Sequence, residues 1–114
     1  MSVTIYHNPR CSKSRQTLAL IQEKGIEPEI IEYLKSPPSE VELDQIISKL
    51  AVQPEELIRK GEDEFKLYFM EKKLSREETI RLMVKHPKVI ERPIVINGNK
   101  AIIGRPPEGV LDIL

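Results

Sequence analysis

The stretch Val3-Thr4-Ile5-Tyr6-His7-Asn8-Pro9-Arg10-Cys11-Ser12-Lys13-Ser14-Arg15 holds the key to the fold. Val3 and Ile5 alternate with polar neighbours and lead into Tyr6, the pattern of a short strand with one buried face. Pro9 cannot continue a strand, so residues 7–11 read as a turn. From Ser14 onward Leu18 and Ile21 recur at helical spacing, with Gln16, Glu23 and Lys24 opposite. Gly25, able to take left-handed geometry, closes that helix. Glu29 to Leu34 then reads as a second strand. Residues 2–34 therefore form a βαβ unit, whose right-handed crossover makes its two strands parallel.

Beyond Pro37-Pro38 the period becomes helical. Ser39 and Glu42 have capping-box spacing ahead of Leu43, Ile46, Ile47 and Leu50. Pro54 opens a short helix ending near Gly61. Phe65, Tyr68 and Phe69 supply a third apolar stripe. Ser75 and Glu78 repeat the capping box ahead of Ile80, Met83 and Val84, and Pro87 stops that helix. The period then changes again. Pro93 to Ile96 and Lys100 to Ile103 flank Asn97-Gly98, a strong short-range hairpin signal. Pro106-Pro107 opens a last helix carrying Val110, Leu111, Ile113 and Leu114. The expected architecture is α/β: a thioredoxin-like βαβ…ββα with a mixed four-stranded sheet. It forms one domain, 1–114, with a helical insert at about 38–88.

Composition narrows the function. A chain of 114 residues suits one compact domain. No apolar run approaches the roughly 20 residues that span a bilayer. The opening residues lack a signal-peptide pattern, so a cytoplasmic location is expected. Eighteen Lys and Arg balance eighteen Asp and Glu, with no basic block. Nucleic-acid binding, which needs a clustered basic footprint, is disfavoured. One cysteine excludes an intramolecular disulfide, and one Cys with two separated His lacks zinc-ligand spacing. No structural metal site is expected. If Cys11 reacts by redox chemistry, a second thiol must come from another molecule.

Cys11 opens a helix, where backbone N–H groups and the helix dipole favour a thiolate, and Arg10, Lys13 and Arg15 add positive charge. Its polar, cationic setting argues for an exposed thiol over a buried apolar one. Free N–H groups at residues 12–15 also make the loop an anion site. Ser14 serves as a cap or as a donor to the thiolate. His7 and Asn8 orient the loop, although His7 reads equally well as a polar residue ending a strand. Arg59, Arg92 and Arg105 each read alone as solvated charges. Nothing in their spacing shows that they meet. Pro93 begins a strand after a loop, where a cis bond would be a deliberate feature.

The run Tyr6 to Arg15 closely resembles the N-terminal motif of the glutaredoxin-coupled arsenate reductases (ArsC-like). Leu57-Ile58-Arg59-Lys60, His86-Pro87, Arg92-Pro93-Ile94-Val95 and Gly104-Arg105-Pro106 match that family's later motifs in order, so the resemblance spans nearly the whole chain. It implies a thioredoxin-like fold in which Cys11 attacks arsenate while Arg59, Arg92 and Arg105 bind the oxyanion and the thiol–arsenic adduct. It implies glutathione as co-substrate, glutaredoxin as protein partner, no bound cofactor and a monomeric enzyme. His7, Asn8, Ser14 and Pro93 would support the site. Two departures stand out: some members continue beyond the position of Leu114, and many have a small residue where this chain has Arg10. Two other readings compete. One is a glutathione-dependent thiol reductase of the same family that does not use arsenate. The other is an Spx-type RNA polymerase-binding regulator, which would carry Cys-x-x-Cys where this chain has Cys-Ser-Lys-Ser and would lack Gly104-Arg105-Pro106.

Overall fold

A computed structural model of the chain describes residues 2–114. They fall into two compact units, one formed by residues up to 36 together with 92–114, the other by 37–91. Among the described residues no helix is long and apolar enough to cross a membrane.

The first unit holds β1 (Val3–His7), α1 (Ser12–Glu23), β2 (Glu29–Glu32), β3 (Ile94–Asn97) and β4 (Lys100–Ile103), then a 3-10 segment, Pro107–Ile113. The strands form one sheet in the order β2-β1-β3-β4. β1 runs parallel to β2, with Ile5 opposite Ile30, and antiparallel to β3, with Ile5 opposite Val95. β3 and β4 form the antiparallel hairpin. This is the thioredoxin-like mixed sheet expected from the element order. Alternation carries Val3, Ile5 and Val95 to one face, where Ile21 of α1 and Val110 of the closing segment complete a core of fully or nearly buried side chains. Burying each such side chain contributes about 1.5–3 kcal/mol.

The local departures have physical causes. β2 ends at Glu32 rather than Leu34, because the Lys35 and Ser36 N–H groups both turn back onto the Glu32 carbonyl at 2.9 Å. Asn97 pairs with Lys100 across the hairpin, so its two loop residues are Gly98 and Asn99 rather than Asn97 and Gly98. Gly98 takes φ +64° and Asn99 has no positive φ, the signature of a type II′ turn with glycine first. The closing helix is 3-10, with Gly109 N–H bonded to the Pro106 carbonyl at 3.0 Å. Both Arg92–Pro93 and Arg105–Pro106 are cis.

The second unit is helical. α2 (Glu40–Leu50) and α4 (Arg76–Lys85) both begin with complete capping boxes, from Ser39 with Glu42 and from Ser75 with Glu78. Thr79, Ile80 and Met83 point inward from α4, while Val84 is only partly buried. Instead of a helix reaching Gly61, Pro54–Leu57 makes one 3-10 turn. The chain then forms a two-rung ladder: Glu91 N–H bonds the Leu57 carbonyl and Arg59 N–H bonds the Val89 carbonyl, both at 2.7 Å, around the Ile58–Ile90 bridge. α3 (Asp63–Tyr68) is short. Phe65 and Phe69 stack on each other, whereas Tyr68 leaves the stripe to stack on His86 with ring centres 4.1 Å apart.

Replacing Ile5, fully buried at the centre of the sheet, with alanine is expected to cost about 3 kcal/mol through lost burial and a residual cavity. Urea unfolding followed by circular dichroism checks it; a loss under 1 kcal/mol would show that this core is not close-packed.

Candidate active site

β1 delivers the chain to a loop whose hydrogen bonds leave little freedom. The Asn8 carbonyl accepts from Cys11 N–H at 3.0 Å, and Asn8 Oδ1 accepts from Arg10 N–H at 3.0 Å. Asn8 N–H in turn donates to Ser14 Oγ at 3.0 Å, and His7 Nδ1 lies 2.6 Å from the same oxygen. Ser14 is fully buried, so it ties the end of β1 to the first turn of α1 from inside. Arg15 Nη1 donates to the Pro9 carbonyl at 2.9 Å, drawing one of the nearby cations into the loop itself.

Cys11 takes extended backbone geometry as the N-cap of α1, so the helix starts at Ser12 instead of Ser14. Arg15 N–H bonds the Cys11 carbonyl at 3.0 Å. That bond takes up one of the four N–H groups expected to be free at 12–15; those of residues 12–14 have no intrahelical acceptor and remain available to an anion. The thiol is nine-tenths buried, against the exposure expected from its polar neighbours. The reason is distant in sequence. Arg105 Nη2 lies 3.4 Å from Cys11 Sγ, while Arg105 Nε donates to the Arg92 carbonyl at 2.7 Å. The guanidinium is thus held by a backbone oxygen with one edge on the sulfur.

His7 is buried, and burial pushes its pKa below the ordinary histidine value. The Glu32 carboxylate, its partner in the parallel β-register, opposes that shift, and Arg15 adds to it. The imidazole is therefore neutral near pH 7.

Cys11, Arg105, Arg92, Pro93, His7, Asn8 and Ser14 all belong to the sheet unit, and Arg105 joins the Arg92 backbone to the sulfur. Arg59 belongs to the helical unit. There its backbone is fixed by Val89, its Nε stands 4.0 Å from Glu91 Oε1, and its Nη1 is buried without a hydrogen-bond partner among the described residues. A buried donor left unsatisfied is costly, and an anion is the group that would offset the cost. Sequence reasoning passes over Thr17, whose fully buried hydroxyl donates to the Lys13 carbonyl at 2.8 Å and lies 3.5 Å from the Gly104 carbonyl. A glycine ending the apolar run 101–103 is the available signal for that contact. Among the described residues no three His, Cys, Asp or Glu side chains gather as a metal ion would require.

A buried thiol at a helix N-terminus, faced by a fixed guanidinium, is suited to nucleophilic attack on an oxyanion. Comparison with known proteins agrees in kind. A sequence model of the ArsC family matches residues 6–113. A Haemophilus influenzae protein named arsenate reductase is 50% identical, with all of both chains covered. The uncharacterized Escherichia coli K12 protein YfgD is 49% identical, over 98% of this chain and 96% of its own. The solved structure of an arsenate reductase from Vibrio cholerae superposes with a TM-score of 0.95 at 46% identity, over all of this chain and 98% of the other.

The depressed His7 pKa has a stability signature. The native state favours neutral imidazole, so its contribution is full above the unfolded value of about 6.5 and is lost as pH falls through the lower folded value. Urea midpoints measured between pH 7.5 and 5.5 are expected to fall more steeply for the parent than for His7→Asn. Equal slopes would mean that His7 does not titrate in that window.

Proposed function

The chain belongs to the ArsC family, and from that membership we propose that it is an arsenate reductase acting through Cys11. The observation that carries the reading is Arg105 Nη2 at 3.4 Å from Cys11 Sγ: a thiolate and a rigid donor of oxyanion hydrogen bonds share one point. Arginine suits the role because its planar fork binds two oxygens of one anion.

The Cys11 thiolate attacks arsenate, forming a sulfur–arsenic bond as one arsenate oxygen leaves as water. Arg105 and Arg92 hold the remaining oxygens and neutralise their charge. Arsenic must then gain two electrons, and this chain has a single cysteine. A glutathione thiolate attacks the Cys11 sulfur. The sulfur–arsenic bond breaks with its electron pair left on arsenic, giving arsenite and a Cys11–glutathione disulfide. A glutaredoxin thiol reduces that disulfide and returns the Cys11 thiolate, so two thiols supply the two electrons. The reaction draws on a glutathione pool, which places the enzyme in the cytoplasm. It needs neither a metal nor an organic cofactor, and one monomer carries every residue named.

The test is NADPH oxidation coupled through glutathione reductase, with glutathione and glutaredoxin present, with and without arsenate. Arsenate-dependent turnover is expected in the parent and none in Cys11→Ser, since serine forms no reducible adduct. Arg105→Ala is expected to lose about 10²–10³ in rate, the scale of one preorganised donor. Thioredoxin without glutathione should support no turnover. Full activity under that condition would overturn the glutathione step. An arsenate-inactive parent that still reduces glutathione mixed disulfides would replace this reading with a general thiol reductase.

A further inference from the structure

Gly104 follows β4 and precedes the arginine that touches the sulfur. It has none of the positive φ that explains Gly25 and Gly98, so backbone freedom is not what it supplies. Space is. A Cβ built on Gly104 would lie 2.5 Å from Thr17 Oγ1, 2.8 Å from Pro93 Cγ and 3.1 Å from Thr17 Cγ2, and real Cβ atoms essentially never approach closer than 3.0 Å. Thr17 has little room to yield: it is fully buried on α1, and its hydroxyl is engaged by the Lys13 carbonyl at 2.8 Å.

We propose that Gly104 is a positioning residue for Arg105, its missing side chain letting the chain after β4 lie directly on Thr17 and Pro93 and so aiming the guanidinium at Cys11. The hydrogen bonds form a two-step clamp. Gly104 N–H donates to the Pro93 carbonyl at 2.9 Å, and one residue on Arg105 Nε donates to the Arg92 carbonyl at 2.7 Å. Two consecutive residues thus bind two consecutive residues. Arg105 N–H also bonds the Ile103 carbonyl at 2.8 Å, so the turn between β4 and the guanidinium has no slack to absorb a shift at Gly104. A methyl group there would push the clamp off Thr17 by several tenths of an ångström and carry Nη2 away from the sulfur. Gly104 touches no reacting atom; it acts through Arg105. The inference rests on reading Arg105 as the cation that faces an anion at Cys11, and it does not depend on that anion being arsenate.

The experiment uses two alkylating probes on the whole chain, anionic iodoacetate and neutral iodoacetamide. In each case the Cys11 thiolate forms a sulfur–carbon bond and iodide leaves. A guanidinium at the sulfur favours the anionic probe, so the iodoacetate-to-iodoacetamide rate ratio reports its position. Gly104→Ala is expected to lower that ratio about tenfold, the low end of electrostatic attraction by fixed charge, and to match Arg105→Ala. Thr17→Ala/Gly104→Ala, which removes both threonine atoms near the new methyl but leaves Pro93 Cγ at 2.8 Å, is expected to recover part of the ratio, while Thr17→Ala alone stays at the parental value. A glycine of purely structural importance would lower the melting temperature and leave the ratio unchanged, and that result overturns the proposal. A folded double variant whose ratio is no higher than that of Gly104→Ala also overturns it. If Gly104→Ala does not fold, the double variant on a Pro93→Ala background decides: folded with a ratio above that of Arg105→Ala it supports the close approach, and folded at that ratio or unfolded it refutes it. Arsenate turnover is measured alongside. The expected pattern of ratios with no arsenate turnover in the parent would keep the role of Gly104 and remove the reductase reading.

Discussion

Strand β1 is hydrogen-bonded along both edges, parallel to β2 and antiparallel to β3, and the geometry at the sulfur depends on that pairing. A strand paired on both sides has no freedom to slip, since a one-residue shift would turn Val3 and Ile5 out of the core. The fixed register sets where β1 ends. It brings His7 level with Glu32 on one side and, one residue earlier, Tyr6 level with Ile94 on the other. The loop after His7 therefore starts beside the strand that begins just after Arg92 and Pro93. Cys11 reaches the helix N-terminus as a consequence of sheet pairing.

Three polar side chains at and behind that loop, His7, Ser14 and Thr17, are buried and hydrogen-bonded. Ser14 Oγ serves both Asn8 N–H and His7 Nδ1, and Thr17 Oγ1 serves the Lys13 carbonyl. Each such bond adds only about 1 kcal/mol of net stability, but leaving one partner buried and unmade costs about 1–3 kcal/mol. That asymmetry makes the network rigid: a rotation of the buried His7 or Ser14 strands a donor or an acceptor inside the protein. Rigidity suits the binding of a compact, highly charged anion, because donors that need no reorganisation stabilise charge most effectively.

Much of this was legible in the sequence wherever the signal is local. Capping boxes at Ser39 and Ser75, the stop at Gly25 and the hairpin around Gly98 are all written within four or five residues. The thioredoxin-like order followed from them. What escaped was nonlocal or too short to have a period. The Arg105 contact with Cys11 joins residues 94 apart, and it is that contact which belongs with the burial of a thiol whose immediate neighbours are polar. The ladder joining residues 57–59 to 89–91 has too few rungs to show alternation, and it overrode the helical signal after Pro54. Phe65, Tyr68 and Phe69 shared one apparent stripe until the stacking of Tyr68 on His86 separated them. Thr17 looked like an ordinary helix residue because its partner, Gly104, lies 87 positions away.

The placement of carboxylates completes the electrostatic logic. The chain is formally neutral, so net charge cannot draw in an oxyanion, and attraction must be local. α2, α3 and α4 each place two acidic residues in the first turn, the usual way to satisfy a helix N-terminus and its dipole. α1 has no acidic residue there and no side-chain cap on its first turn. Its N-terminus instead ends on the Cys11 backbone, with Lys13 and Arg15 in the turn itself. A carboxylate in that turn would have been a permanent competitor for the same N–H groups and for Arg105. Its absence leaves the positive end of α1, beside the Cys11 sulfur, open to an anion, so the helix that forgoes the ordinary source of N-terminal stability is the one that Cys11 caps.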